Sequence, residues 1–368
     1  MIYRSLGKSG IKISVLSFGT MRWKSEEDCH AIIARGIESG LNYLDTSTGY
    51  VEGKSLGWCG SIARKHRDKL LVSSKSNWAA APDADAVQRS IEGALKKAGL
   101  DYFDFYQLWG LPNQEILKSA LGKNGTVAGV RQAQKRGLIK HGLGFTFHAD
   151  AATFRAAVDS GEFLSATVSY SLLNRRDELL LDYAAARGVG TIIMNPLAGG
   201  LLGKKDDAAL EFLRQGDKGP WYGALRFLLA NKSITTAIVG FVTLADLEQD
   251  LHALENPRSL TEKYRKSLGL RMAGAKLADG KFCTGCGYCH ECPHGFDPTR
   301  FMQMFRDFTA SGADPEQLGH WIGSQYLDVA LAEELKKCWE CGACEKTCPQ
   351  KLGILDAIRR VKAHLARV

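Results

Sequence analysis

The sequence predicts an α/β fold: a (β/α)8 (TIM) barrel followed by a smaller, mainly helical, cysteine-rich domain. Three observations carry this expectation. Apolar, strand-like runs alternate with amphipathic helical stretches about every 30 residues, eight times over. The alternation stops at Asn256-Pro257. Beyond it, eight of the chain's ten cysteines crowd between Lys281 and Pro349.

The elements follow in order. Met1 to Ile13 reads as a short hairpin with Gly7-Lys8-Ser9-Gly10 as its turn. Strands are expected at 15–19, 43–46, 70–75, 103–108, 141–147, 166–170, 190–195 and 236–240. Helical patterns lie between them at 26–39, 55–65, 84–98, 127–135, 151–159, 178–186, 222–230 and 244–254. Several stop at glycine, as at Ser39-Gly40, Arg136-Gly137 and Arg187-Gly188, where a left-handed C-terminal cap favours that residue. Strands separated by helices pair in parallel, so eight units point to a closed barrel, with a doubly wound sheet as the alternative. The expected organisation is a barrel over 1–257, an appended helix (260–270) and linker over 258–280, and the cysteine-rich domain over 281–368. Helical patterns at 299–308 and 328–337 fill the interval between the two cysteine runs.

The hydrophobic fraction of 45% and charged fraction of 24% are those of a globular protein rather than a disordered or membrane-spanning chain. The net charge of +8 is scattered, which argues against a nucleic-acid partner. Arg359, Arg360, Lys362, His364 and Arg367 make the last helix basic; it reads as a solvated face, the other reading being a dock for an acidic partner. No apolar run is long enough to span a membrane and the N-terminus lacks a signal layout, so a cytoplasmic protein is expected. A reducing cytoplasm favours metal ligation by the cysteines over disulfides.

The first run is Cys283-x2-Cys286-x2-Cys289-x2-Cys292-Pro293, and the second is Cys338-x2-Cys341-x2-Cys344-x3-Cys348-Pro349. The second has the spacing with which bacterial ferredoxins hold iron–sulfur clusters; the first is one residue shorter before its last cysteine. Zinc is the alternative, but its sites use separated C-x2-C pairs rather than four cysteines in ten residues. The expectation is two [4Fe–4S] clusters. In two-cluster ferredoxins the last cysteine of each run serves the other cluster. One cluster would take Cys283, Cys286, Cys289 and Cys348; the other would take Cys338, Cys341, Cys344 and Cys292. The 45 residues between the runs favour a helical ferredoxin-like domain. Cys29 and Cys59 read as packing residues.

A barrel of this kind carries chemistry at the C-terminal ends of its strands. Those ends read Gly19-Thr20, Asp45, Lys75, Trp109, Thr146, Ser171, Pro196 and Gly240, with Tyr50 in the loop after Asp45. A tyrosine ordinarily ionises near 10. A neighbouring ammonium would lower that value, and an aspartate would hold the ammonium charged and oriented. The set suits protonation of a carbonyl oxygen while a hydride reaches its carbon. Trp23, Trp78, Trp109 and Trp221 approach strand ends and are candidates for an apolar substrate pocket, ordinary packing being the other reading.

At these residues the chain resembles the aldo-keto reductases, in the subgroup fused to a C-terminal ferredoxin-like domain. The carriers are Tyr3 to Gly10, Phe18-Gly19-Thr20, Asn42-Tyr43-Leu44-Asp45-Thr46-Ser47 with Tyr50, and Ser74-Lys75. Gly144-Phe145-Thr146-Phe147-His148, Ile193 to Gly200 and Ala237-Ile238-Val239-Gly240 complete them. The resemblance implies a nicotinamide cofactor, NADP or NAD, and a catalytic tetrad of Asp, Tyr, Lys and His, of which Asp45, Tyr50 and Lys75 match. Trp109 stands in the histidine's place and cannot exchange a proton, though its indole N–H can still donate; His148, one strand away, is a candidate substitute. The resemblance points to Gly19, Thr20, Thr146, Ser169, Pro196, Leu197, Gly199, Gly240 and Thr243 for cofactor binding. Thr146-Phe147, Ser169 and Ser171 depart from the family's usual carboxamide-binding residues. Phe241-Val242-Thr243, Asp246 and Asp250 replace the basic or polar residues expected around a 2′-phosphate, and a carboxylate there repels it. The reading is an NAD(P)H-dependent oxidoreductase acting on a small carbonyl or alcohol, with clusters serving structure or a redox partner protein. The alternative is a barrel without hydride chemistry that works as an electron-transfer or partner-binding module.

Overall fold

The computed structural model describes residues 1–147, 149–203, 210, 213–215, 217–273, 283, 288–289, 291–311, 331–348 and 350–365. His148, residues 274–280 of the linker, residues 281–282, Cys286, residues 328–330 and Arg367 lie outside the described residues. The described chain divides into two compact units, one of Met1–Tyr170, Arg176–Pro196 and Leu225–Arg265, the other of Ser171–Arg175, Leu197–Ala224 and Lys266–Val368.

The first unit is the closed parallel barrel. Its strands are β3 (Leu16–Gly19), β4 (Tyr43–Asp45), β5 (Leu71–Asn77), β6 (Phe103–Leu111), β7 (Ile139–Phe147), β8 (Ser165–Ser169), β9 (Gly190–Met194) and β10 (Thr236–Val239). They pair in sequence order, and β10 closes on β3 through Ala237↔Leu16 and Val239↔Phe18. A doubly wound sheet is therefore excluded. Ahead of the barrel, β1 (Tyr3–Ser5) and β2 (Lys12–Ser14) form the expected antiparallel hairpin, whose turn is a short 3-10 segment, Gly7–Ser9.

Five helices of the barrel start at a side-chain cap. Ser25, Asp83, Asn113, Asp150 and Thr243 accept the backbone N–H three residues on, opening α1 (Glu26–Glu38), α3 (Ala84–Ala98), α4 (Gln114–Leu121), α6 (Ala151–Asp159) and α9 (Leu244–Leu251). Each such cap contributes about 1 kcal/mol. The remaining barrel helices are α2 (Lys54–Lys65), α5 (Thr126–Lys135), α7 (Glu178–Ala186) and α8 (Pro220–Ala230). Helix α4 had no counterpart among the expected elements, and the expected helix over 244–254 ends instead as a 3-10 turn, His252–Leu254.

Two close approaches constrain the wall. A Cβ on Gly19 would lie 2.8 Å from Ile238 Cγ2 and 3.1 Å from Val239 O, so only glycine lets β3 meet β10 there. The hairpin is tied down by Arg4, whose guanidinium donates to the carbonyls of Leu229, Asn231 and Ile234. Burial pulls its pKa down to about 10, which still leaves it charged at neutral pH.

The second unit contains the end of α10 (Glu262–Ala273), then α11 (Pro298–Ser311), α12 (Leu331–Lys336), α13 (Ala343–Thr347) and α14 (Ile354–Leu365). Its apolar core joins Phe296, Phe301, Met302, Ile354, Ile358 and Val361 to the buried Cys283 and Cys348.

Replacing Arg4 by Met, which keeps the stem and strands three carbonyl acceptors, is expected to cost about 3 kcal/mol of barrel stability. Urea unfolding followed by tryptophan fluorescence measures it.

Candidate active site and cysteine centre

Strand register sets Asp45 at the end of β4 beside Ser73 of β5, and Lys75 of β5 beside Gln107 of β6. Asp45 and Lys75 are only 4% and 3% exposed, and the lysine ammonium is hydrogen-bonded to Asp45 Oδ1. Two charges this deep require each other, because either one alone would face the full desolvation penalty. The second carboxylate oxygen is satisfied too: Gln107 Nε2 donates to Asp45 Oδ2 at 2.6 Å and to Ser73 Oγ at 3.0 Å. Thr167 Oγ1 donates to Gln107 Oε1 at 2.6 Å, which fixes the amide orientation. Sequence reasoning missed Gln107 and Thr167. The available signal was a glutamine in the otherwise apolar run Tyr106-Gln107-Leu108 of a buried strand.

Tyr50 sits above this pair in the loop between β4 and α2. Lys75 Nζ lies 4.9 Å from the centre of its ring. Val51 and Glu52 have φ of 52° and 53°, and Gly53 follows at 81°. Left-handed backbone at a β-branched residue is costly, so the loop that carries Tyr50 stores strain. Burial, with the charge of Asp45 adding to it, pushes the Tyr50 phenol well above its ordinary value. The expectation that Lys75 lowers it is corrected: the ammonium lies over the ring face and is neutralised by Asp45. Tyr50 is thus held as a neutral acid.

Trp109 packs edge-on against Tyr50, ring centres 6.2 Å apart at 73°. The next residue, Gly110, has φ +77° at a register shift between Leu108 and Leu111, and its N–H donates to Thr146 Oγ1 at 2.7 Å. The end of β6 is thereby locked to β7, and Trp109 with it. Trp23 is buried and donates from Nε1 to Phe241 O at 2.8 Å, which makes it a packing residue rather than a free wall.

Among the proposed cofactor residues, Gly19 ends β3 and Thr20 follows it, and Ser169 and Thr146 are buried on β8 and β7. Thr20 Oγ1 and Thr46 Oγ1 are buried with no hydrogen-bond partner among the described residues. A Cβ on Gly240 would meet only Arg22 Cδ, at 3.8 Å, leaving room past β10. Pro196 ends the second of the barrel unit's three stretches, while Leu197 and Gly199 belong to the second unit, where Gly199 has φ +70°. At the start of α9, Asp246 Oδ2 accepts the N–H groups of Val242 (3.1 Å) and Thr243 (2.8 Å), and Thr243 Oγ1 accepts from Asp246. The two backbone donors just ahead of α9 are thus already taken by a carboxylate, whose charge sits at the helix start. Asp250 is buried behind it, and burial, aided by Asp246, pushes it up to about 7.

In the second unit the described cysteines of both runs meet one apolar core: Cys283 and Cys348 are within it, and Cys289, Cys292, Cys338 and Cys344 pack against it. Cys341 is exposed. Burial pushes the Cys344 thiol up to about 11, with Cys289 and Cys338 near enough to add to the rise. Arg306, buried, donates to Cys283 O at 3.1 Å. Lys362 Nζ donates to Cys338 O at 3.2 Å and pairs with Glu340, as does Arg359.

Residues 15–266, more than half of the chain, match the family model "Aldo/keto reductase family". The chain belongs to the aldo/keto reductase family. It is an oxidoreductase, and residues 282–352 match the model of a 4Fe-4S dicluster domain. Among its relatives, L-galactose dehydrogenase of Arabidopsis thaliana is 26% identical over 70% of this chain and 89% of that protein. The uncharacterized oxidoreductase YqkF of Bacillus subtilis is 24% identical over 72% and 94%. Of solved structures, aldo-keto reductase AKR11C1 from Bacillus halodurans in its holo form superposes with a TM-score of 0.63 at 23% identity, over 74% of this chain and 96% of that one, a likeness of fold. The reductase barrel fused to an iron–sulfur domain is thus as the sequence predicted.

Breaking the buried pair with Lys75→Met alone is expected to cost about 3–5 kcal/mol, because it strands Asp45. Adding Asp45→Asn should recover part of that loss; a double-mutant cycle on unfolding free energies reads the coupling.

Proposed function

We propose that this chain interconverts a small carbonyl compound and its alcohol with a nicotinamide dinucleotide, and carries two [4Fe–4S] clusters in its C-terminal domain. The observation that carries the reading is the buried Asp45–Lys75 pair beneath a neutral Tyr50. The residues fit a nicotinamide group in that buried, unpartnered hydroxyls of Thr20 and Thr46 and the open space past Gly240 lie at strand ends. When bound, the dinucleotide would supply or take the hydride. Tyr50 then gives the proton to the carbonyl oxygen, and Lys75, whose ammonium lies over the face of its ring, holds that ring in place. Asp45 holds Lys75, and Trp109 narrows the pocket. Gly19, Thr20, Thr146, Ser169, Pro196, Leu197, Gly199, Gly240 and Thr243 are the proposed cofactor contacts. With Asp246 occupying the start of α9, NADH is favoured over NADPH.

The clusters are proposed on Cys283, Cys286, Cys289 and Cys348, and on Cys338, Cys341, Cys344 and Cys292. Convergence of thiols from both runs on one core supports this set. The cytoplasm suits such thiolate ligands. A second reading, a barrel without hydride chemistry, is favoured by Trp109 against Tyr50.

Tyr50→Phe is expected to lower carbonyl reduction by at least about 100-fold with nucleotide binding retained, which would reject the second reading; unchanged turnover would reject Tyr50 as the proton donor. Because Tyr50 stays protonated at neutral pH, the wild-type reduction rate should show no loss from this group until the pH exceeds its raised pKa, measurable as a pH–rate profile. Anaerobically purified protein should be brown with about eight iron per chain; colourless protein with zinc would refute the clusters.

A further inference from the structure

Gln107 lies inside the barrel, 1% exposed, and its hydrogen bonds go to Asp45, Ser73 and Thr167. Both amide hydrogens are used, one on Asp45 Oδ2 and one on Ser73 Oγ, while the amide oxygen accepts from Thr167 Oγ1. Turning the amide over would set its oxygen against a carboxylate, so a single orientation serves all three partners. To meet Thr167 of β8, the side chain leaves β6 and passes β7. Its register partner on β7 is Gly144. A Cβ at that position would lie 2.4 Å from Ser165 Oγ and 3.4 Å from Gln107 Cγ, so any side chain there would collide with Ser165 and crowd the glutamine.

Asp45 is thus held through both oxygens, Oδ1 by the Lys75 ammonium and Oδ2 by Gln107. A carboxylate claimed at one oxygen only can turn about its Cβ–Cγ bond. Claimed at both, it gives the ammonium one resting place, 4.9 Å from the centre of the Tyr50 ring. A buried network with every member satisfied fixes its parts more firmly than the separate bonds would.

We propose that Gln107 is a positioning residue: acting through Asp45 and Lys75, it fixes the place of the Tyr50 phenol for proton delivery, with Thr167 setting the sense of its amide. The proposal rests on the reading of Tyr50 as proton donor.

The full-length protein tests this with two variants. Gln107→Met keeps the length of the side chain and loses both donors. The first readout uses nucleotide-free protein labelled with 3-fluorotyrosine, in which the Tyr50 fluorine resonance is the one that Tyr50→Phe removes. That line is expected to shift or broaden in Gln107→Met while far-UV circular dichroism is unchanged. In carbonyl reduction kcat should fall at least about tenfold, with the KM for nucleotide retained. Gln107→Glu puts a second carboxyl beside Asp45, with Lys75, Tyr43 and Tyr50 as the other ionisable groups around the pair. Protonated, that carboxyl donates to Asp45 as the amide does; ionised, it repels Asp45, and burial beside a like charge raises its pKa. Its kcat is therefore expected to be highest at mildly acidic pH and to fall at least tenfold between about pH 5 and 9, where folded wild type stays level. An unmoved Tyr50 line with wild-type kcat in folded Gln107→Met would overturn the proposal. So would a level pH profile for Gln107→Glu, which decides the matter if Gln107→Met does not fold. A Tyr50 line that moves in Gln107→Met although wild type reduces no carbonyl would spare the positioning and overturn the hydride reading beneath it.

Discussion

The barrel site depends on one interaction, the ion pair between Asp45 and Lys75. Inside a closed barrel neither charge has water to turn to, and each is stable only because the other and a set of hydrogen bonds surround it. That requirement explains why Gln107, Ser73 and Thr167, on three different strands, form one chain of donors and acceptors behind the carboxylate. It also explains the neutrality of Tyr50. A lysine already neutralised by its partner exerts little pull on a phenol, so burial decides the proton's place. An acid that stays protonated is the form needed to donate to a carbonyl oxygen.

The cysteine-rich part obeys a different constraint. Its described elements are short helices, and its apolar core includes the cysteines themselves. Thiols at the centre of a small core contribute little packing, so metal bound there would supply folding energy as well as redox chemistry. The two roles need not compete. The loop after Cys338 is locked by Arg359 and Lys362 on Glu340 and leaves Trp339 exposed.

The barrel was legible because period and length agree for every strand: apolar runs such as 103–108 and 190–195 are too short for helices and are bounded by turn residues. Helix α4 escaped because its apolar positions, Ile116, Leu117, Ala120 and Leu121, follow β6 closely; Asn113 as its cap was the available signal. Asp45, Tyr50 and Lys75 could be read as a group since strand ends of a barrel converge. The hold of Asp45 on Lys75 was part of that reading. What one sequence could not reveal was distance: that the Lys75 ammonium lies over the face of the Tyr50 ring, and that Asp246 takes the backbone N–H groups just ahead of α9.

The central claim is that this barrel moves hydride between a nicotinamide and a carbonyl carbon. The direct measurement uses NADH and NADPH deuterated at the transferable position, offered with a panel of aldehydes and ketones, and mass spectrometry of the alcohols formed. The account predicts alcohol carrying one deuterium at the carbinol carbon, formed faster with NADH. Alcohol without deuterium, or none from any carbonyl while the protein is folded and holds its iron, would contradict it.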